Sequence, residues 1–474
     1  MRSGGYMWMG KWKKFIGDKA FYKMLIVLVV PMIVQQGITN FVSLLDNLMV
    51  GSLGTEPMSG VAIANQLIFV FNLAIFGVLS GGSIFGAQFF GIGDHKGVRH
   101  TFRFKLICGV FVTAVAIVVL SLYGEGLVAL FLNNEANAMV DTSATLEHAK
   151  SYLRVILWGL PPFMVVQVYS GTLREMGKTK APMIASIIAV FVNLTLNYML
   201  IFGHFGFPRM GVAGAALATV IARYIEMLYV AVYTHRSHEE FPFVQGVYKS
   251  MHVPGWLVKR ILITGFPLFM NEILWSVGST AVSQNYSTRG LTVVAASNIS
   301  STVWMLFSVI MFSMGSAVSI LVGQRLGAGD IEGAKDTNRK LIAFSVVLHI
   351  GVGLLIIAAA PLVPLLYKTE PEVRKLAAQF LMVAGASLPI HAFIHAAYFA
   401  IRSGGKTLIT FLFDSVYMWC VPVVLSFVLC RYTSLGILAV YAIVQFSDMV
   451  KLFIGAAMLK SGFWANNVIK HHNG

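Results

Sequence analysis

The 474-residue chain is 57% hydrophobic and 12% charged, with a mean hydropathy of +0.76; that is too apolar for a water-soluble globule. Its formal charge of +15 would suit nucleic acid if it were clustered, but the basic residues are spread through short segments between apolar runs, and no nucleic-acid partner is expected. Cys108, Cys420 and Cys430 lie in apolar segments without a CxxC spacing, so they read as buried hydrophobes and imply neither a disulfide framework nor a zinc site.

Uncharged runs long enough to cross a ~30 Å hydrocarbon layer fall at 25–50, 58–82, 101–123, 150–172, 182–203 and 211–233, then at 261–284, 293–322, 341–366, 375–399, 408–430 and 436–459. Backbone groups in lipid must be satisfied within the segment, and no alternating pattern supports a barrel, so the spans are helices, numbered here 1 to 12. Segment 1–24 carries Lys11, Lys13, Lys14, Lys19 and Lys23 but no small-residue cleavage site, which makes helix 1 an uncleaved span. Arg99 and Arg103, Arg174 and Lys178, Arg325 and Lys340, and Lys460 follow on the same side. This positive-inside bias predicts that both termini are cytoplasmic.

The chain is written twice. At a spacing of 236 residues Pro31 meets Pro267, Gln88 meets Gln324, Gly91 meets Gly327 and Asp94 meets Asp330; at 228, "LREMGKT" (173–179) meets "IRSGGKT" (401–407). Each copy holds six spans, an even number, so both enter the membrane in one orientation. The expected fold is an all-α membrane protein of twelve helices in two six-helix lobes, related by a pseudo-twofold axis along the membrane normal. The expected divisions are a cytoplasmic segment 1–24, lobes 25–233 and 261–459, a linker 234–260 that either connects or lies on lipid as an amphipathic segment, and a cytoplasmic tail 460–474.

"GAQFFGIGD" and "GQRLGAGD" tempt a nucleotide-loop reading. Their G-x-G-x-x-x-G spacing and their place after a membrane helix indicate instead a tight turn, with Gly91 and Gly93 relieving backbone strain and Asp94 capping the next helix. "GKT" lacks the glycine of a Walker loop five residues earlier, where Thr172 and Ala400 stand.

Ionisable groups inside spans are costly in lipid and carry the functional signal. Asp46, a turn before the end of helix 1, either caps or snorkels, or accepts a cation or proton. Glu272 follows Pro267 by about one turn and has Gln36 as its repeat mate; it serves function or a structural hydrogen bond. Asn193 and Asn197 share a face of helix 5 and Thr219 lies in helix 6: packing glue, or, with Asp46, oxygen ligands for a small cation or partners of a protonating carboxyl. His391, His395 and Tyr398 share a face of helix 10 and point to a cavity or proton role rather than a metal. Arg223 with Glu226 and Asp448 with Lys451 are i,i+3 pairs expected to neutralise each other, while Asp414 in helix 11 has no evident partner.

The duplicated six-helix plan, "DNLMVGSLG" ending helix 1, the two glycine turns, the two GKT segments and "NLTLNYMLIFG" followed by "GVAGAALAT" resemble the multidrug and toxic compound extrusion (MATE) transporters over about 25 to 460. The resemblance implies an antiporter that exports organic cations, drugs or toxic metabolites in exchange for Na⁺ or H⁺. It matches Asp46 to the family's helix 1 aspartate and Thr219 to its helix 6 threonine, and places Asn197 where some members carry a second acid. In other members the helix 7 glutamate comes about eight residues after the proline, whereas Glu272 comes five after, and helix 10, which carries an acid in those members, offers only His391 and His395 here.

With the resemblance, the reading is a rocker-type transporter. Its coupling residues are Asp46, Asn193, Asn197, Thr219 and Glu272, and its substrate cavity draws on Gln36, His391, His395, Tyr398 and Asp414. No cofactor is expected, nor any metal beyond Na⁺ near Asp46. The partners are small organic cations or amphiphiles and membrane lipid, and the setting is a monomer in a bacterial plasma membrane. The alternatives are a lipid-linked precursor flippase of the same superfamily, for which few Arg or Lys lie inside the spans, and an intramembrane enzyme, for which HExxH and GxSxG are lacking.

Overall fold

The computed structural model describes residues 13–132 and 142–470, so the Lys11 of the positive-inside pattern and residues 471–474 of the tail lie outside it. Twelve helices are long and apolar enough to cross a membrane. In chain order they are α1 (Lys19–Gly51), α2 (Thr55–Gly91), α3 (His95–Leu132), α4 (Thr142–Glu175), α5 (Lys180–Phe202) and α6 (Val212–Arg236); the second copy supplies α7 (Gly255–Ser287), α8 (Leu291–Gly327), α9 (Ile331–Ala359), α10 (Pro371–Ser403), α11 (Thr407–Tyr432) and α12 (Ile437–Ser461). Each coincides with one expected span. Most run past the apolar stretch because polar ends extend the helix beyond the hydrocarbon-compatible window. No strand occurs among the described residues, as backbone satisfaction in lipid requires.

Local chemistry explains the interruptions. In α4 a 3₁₀ turn at Leu157–Gly159 precedes the consecutive Pro161 and Pro162, which cannot donate to the preceding turn. α11 is the irregular member: it widens into π-helical turns at Leu412–Val416 and Trp419–Val423, the second containing Pro422. Its counterpart α5 is a continuous α-helix.

By contacts the chain divides into two compact units, one of residues 30–86 and 94–262, the other of residues 1–29, 87–93 and 263–474. In the first, Val50, Val61, Val128, Tyr152, Ile201 and Val220 make one apolar core. In the second, Tyr286, Val293, Phe380, Val440, Tyr441 and Val444 make another. Tyr152 and Phe380 occupy the same repeat position at the 228-residue spacing. Large side chains such as Phe111, Leu122, Phe191 and Phe453 are about two-thirds exposed, as expected of helix faces solvated by acyl chains rather than water.

The two glycine turns behave as the sequence suggests in one respect and differ in another. Asp94 Oδ1 accepts from the Gly97 amide and Asp330 Oδ1 from the Gly333 amide, both at 2.9 Å; Gly93 and Gly329 are left-handed, at φ +72° and +79°. Gly91 and Gly327, however, are helical, and relief of strain is not their reason. A Cβ on Gly91 would lie 1.9 Å from the Gln324 carbonyl oxygen, and one on Gly327 would lie 2.0 Å from that of Gln88. The copies of the turn pack backbone to backbone through these glycines. Of the cysteines, Cys430 is buried, but Cys420 is exposed: its place in an apolar segment reflects a lipid-compatible helix face, not a core.

The linker is a docked strap. Phe241, Phe243, Val244 and Val247 are buried, with the Phe243 ring 5.5 Å from Phe102 of α3. Arg99 donates to the carbonyls of Pro242 and Phe243, and Arg103 to those of Gly246, Val247 and His252. These side chains pack on α3 and α6, so the segment is folded against the helices, while its Tyr248 and Met251 stay exposed. Beneath it Lys105 and Glu175 form a buried ion pair at 2.8 Å, with Thr172 Oγ1 also 2.7 Å from the ammonium. Gly82 and Gly86 of α2 leave the room that pair needs, since a Cβ there would meet Lys105 Cγ at 2.9 Å or Glu175 Oε2 at 2.0 Å.

Candidate ion-coupling site

In the first unit, helical spacing puts Asn193 and Asn197 one turn apart on α5, facing α1 and α6. Asn197 Nδ2 donates to Asp46 Oδ1 at 2.6 Å and to Asn193 Oδ1 at 3.2 Å, and Asn193 Nδ2 donates to Thr219 Oγ1 at 3.2 Å. Both asparagines are buried, while Asp46 and Thr219 are partly exposed. The four first-copy candidates for coupling therefore form one chain across three helices. Asn197 Oδ1 is buried without a hydrogen-bond partner. A carboxylate, two amide oxygens and a hydroxyl thus stand together, a donor set that suits a hard monovalent cation or a proton held on Asp46.

Gln36 is not in this cluster. It is exposed and donates to Asn40 on its own helix at 3.1 Å. Its neighbour Gln35 turns inward instead and donates to Ser186 Oγ at 2.8 Å, and Ser186 donates to Glu226 Oε1 at 2.6 Å. Arg223 is stacked on the Phe163 ring, 4.3 Å from its centroid. The expected Arg223–Glu226 neutralisation within α6 is thus replaced by partners on α4 and α5; Glu226 acts on Arg223 only through space.

The second unit repeats the scheme with the charges moved. Asn271, the repeat mate of Gln35, donates to Asp414 Oδ2 at 3.1 Å and to Tyr398 Oη at 3.3 Å. Lys451 Nζ donates to Asp414 Oδ1 at 2.5 Å, and its ammonium lies 5.1 Å from the Phe413 centroid and 5.7 Å from that of Tyr417. Asp448 pairs with His391 Nδ1 at 3.3 Å, and His391 Nε2 lies 3.2 Å from Gln445 Oε1. Asp448 and Lys451 therefore do not pair with each other as expected from their spacing, and Asp414, without an evident partner in sequence, has Lys451. Closely packed neighbouring helices offer shorter, better-aligned contacts than the i,i+3 geometry of one helix.

Glu272 is half-buried beside this cluster, within electrostatic reach of Arg402 and Asp414, and has no hydrogen bond or ion pair among the described residues. His395 is ringed by Phe312 at 5.2 Å and Phe399 at 4.9 Å, and its Nε2 has no hydrogen-bond partner. Tyr398 and Asp414 are joined through Asn271, and His391 belongs to a separate group with Asp448 and Gln445; Glu272 and His395 border them.

The repeat explains the correspondence. α6 and α12 are both 25 residues long and both begin one residue after a glycine, Gly211 and Gly436, which sets Arg223 and Glu226 opposite Asp448 and Lys451. The 228-residue spacing sets Phe163 opposite His391 and Ser186 opposite Asp414. Gln35, Ser186 and Glu226 are thus repeated as Asn271, Asp414 and Lys451. Sequence reasoning missed Gln35, Ser186 and Asn271, although the spacing that paired Gln36 with Glu272 also pairs their inward-facing neighbours.

Comparison with known proteins gives a consistent family. A sequence model described as MatE matches residues 31–199 and 267–430, so the two matched blocks fall one in each copy of the repeat. The chain is similar to a protein of Thermotoga maritima named as a probable multidrug resistance protein NorM, with 27% identity over 452 residues and 94% of each chain covered. Its fold is similar to a crystal structure of a MATE protein in complex with MaD3S, at a TM-score of 0.83 and 19% identity, covering 95% of this chain and 98% of that one. It is likewise similar to a mutant of the Vibrio cholerae MATE transporter VcmN, at a TM-score of 0.83 and 17% identity, covering 94% of this chain and 98% of that one.

Proposed function

The chain belongs to the MatE family of multi-pass membrane transporters, and from that membership and the Asp46 geometry we propose that it is a secondary antiporter. It exports organic cations, drugs or amphiphilic metabolites in exchange for Na⁺ or H⁺, by alternating access. The observation that carries the reading is Asp46 held by Asn197 at 2.6 Å, beside the buried, unpartnered Oδ1 of the same amide. A buried carbonyl oxygen without a donor is costly, and a cation shared with Asp46 removes that cost. A proton on Asp46 acts on the same contact from the other side, since it replaces a charge-assisted hydrogen bond by a neutral one of about half the strength.

Either occupant neutralises Asp46 and loosens its hold on α5, and α1 has a place to respond at Pro31, where a backbone hydrogen bond is missing. Coupling follows if substrate binds better in the state that a vacant Asp46 favours. Dye efflux from proteoliposomes, under an imposed Na⁺ gradient and a pH gradient applied separately, tests this: at least one gradient drives efflux, and Asp46→Asn reduces it to the rate of protein-free vesicles while membrane insertion is unchanged. Efflux that ignores both gradients, or that Asp46→Asn leaves intact, overturns the reading.

A further inference from the structure

The second unit holds four charged or chargeable groups arranged as two crossed pairs. α12 carries an acid and a base one turn apart, Asp448 and Lys451, and each is bound to another helix: Asp448 to His391 of α10, Lys451 to Asp414 of α11. His391 faces two acceptors, the Asp448 carboxylate on Nδ1 and the Gln445 amide oxygen on Nε2. A protonated ring would donate to both, whereas a neutral ring donates to one. In the protonated state the four groups are neutral together. The pairs are not sealed: the side chains of Asp414, Asp448 and His391 keep 20%, 19% and 17% of their exposure, and that of Lys451 keeps 8%.

The surroundings of the Lys451 ammonium are those of a bound organic cation. It has one carboxylate and two aromatic faces, Phe413 and Tyr417, the pairing by which proteins hold alkylammonium ions. Asp414 and Phe413 lie on the π-helical turn Leu412–Val416, a rare geometry concentrated at functional sites. In the first unit the equivalent helix is regular, and its position 186 is a serine bound to Glu226, so the feature is not a by-product of the repeated fold. Lys451 also has a second carboxylate within reach, since Asp448 lies one turn away on the same face and already feels its charge.

We propose that Asp414, Phe413 and Tyr417 form a binding site for a monovalent organic cation, that the Lys451 ammonium is its tethered competitor, and that binding drives Lys451 to Asp448 while His391 releases a proton to water. The inference rests on the transport reading above and names the substrate site and its proton. With the cation on Asp414, Lys451 on Asp448 and His391 neutral, the cluster is again neutral, so one cation is exchanged for one proton at constant charge. No step leaves an unpaired charge in a poorly solvated site, which is the expensive alternative. The other groups that face the cluster are the Trp304 ring of α8, 5.7 Å from His391, Glu272 of α7, His349 of α9, and His395 and Arg402 of α10. None of them bridges the two pairs.

The test is calorimetric binding of benzyltrimethylammonium to the purified full-length protein in detergent, run in buffers of different ionisation enthalpy to count protons and across a pH series. The wild type releases one proton per cation bound, and where a full proton is released its affinity rises about tenfold per pH unit. His391→Gln binds without release and without pH dependence, because Asp448 is open to Lys451 from the start. Lys451→Met, which removes the competitor, binds ~10-fold or more tighter and also releases no proton. A lysine that merely stabilises the fold would give the opposite sign in the last variant. Release that persists in His391→Gln, or weaker binding in Lys451→Met, overturns the site. Absence of benzyltrimethylammonium binding in a wild type that still exports dye overturns it too and leaves the transport reading standing; failure of efflux under both gradients removes that reading independently.

Discussion

At the scale of single residues, glycines that share one motif do different work. Gly93 is needed for its left-handed φ and has nothing within 4 Å of a built Cβ, whereas Gly91 is helical and its Cβ would strike the Gln324 carbonyl at 1.9 Å. The first constraint costs an alanine about 1–2 kcal/mol. The second is a backbone clash with no flexible side chain to yield, comparable to overpacking a core at about 1–3 kcal/mol or more, with a shift of two helices besides. Gly91→Ala and Gly327→Ala should therefore lower the unfolding temperature in detergent more than Gly93→Ala, read by loss of the monodisperse gel-filtration peak after heating. Equal losses at 91 and 93 would mean that backbone conformation alone accounts for the motif. The sequence marks all of these glycines alike, because spacing records that a side chain is forbidden and not whether φ or a neighbour forbids it.

The same limit governs the charged residues. Asp46 is legible as an ionisable group inside a span, Asn193 and Asn197 by their one-turn spacing and Thr219 by the family resemblance, and the structure joins the four by hydrogen bonds. The sequence points to Gln36, whereas Gln35 makes the inward contact: adjacent helical residues differ by about 100° in direction, and a uniformly apolar helix gives no stripe to say which faces inward. Partner choice was not legible either. Arg223 with Glu226 and Asp448 with Lys451 have the spacing of intrahelical pairs, yet Phe163, Ser186, His391 and Asp414 take them.

At the scale of elements, the linker shows what an ambiguous composition becomes once neighbours are present. Its aromatic and apolar side chains would serve equally on a lipid surface, but its own turns leave carbonyl oxygens free, and Arg99 and Arg103 of α3 bind them. Arg103→Ala strips three donor contacts, to Gly246, Val247 and His252, while leaving Phe241 and Phe243 to hold the other end. Hydrogen bonds to charged donors contribute about 1.5–3 kcal/mol each when buried, so the strap should open locally well before the helices do. Hydrogen–deuterium exchange should show faster exchange of amides 244–252 in Arg103→Ala, with α3 and α4 protected as in the wild type. Unchanged exchange would assign the strap to its phenylalanines.

At the scale of the whole chain, the last described residues return to the repeat that organises the sequence. Gln88, with no exposed surface, donates to the carbonyls of Ser403 and Asn466 and accepts from the Val468 amide. Asn467 donates to the Gly327 carbonyl, and Gly404 is bare because a Cβ would lie 1.7 Å from the Trp464 carbonyl oxygen. Residues 462–469 thus fasten one glutamine of the first copy, a glycine turn of the second and the second GKT segment within one compact unit. Removing residues 462–474 leaves one donor and the acceptor of a buried amide unmet, at about 1–3 kcal/mol for each unmet group. The truncated protein should unfold several degrees lower in detergent. Gln88→Leu in the full chain should also destabilise, by orphaning the carbonyls and the amide it serves. Combined, the two changes should cost distinctly less than the sum of their separate effects, because the leucine has no polar atoms left to satisfy once the tail is gone. Strict additivity would show that the tail stabilises through Trp464 and the neighbouring apolar contacts, with Gln88 a bystander.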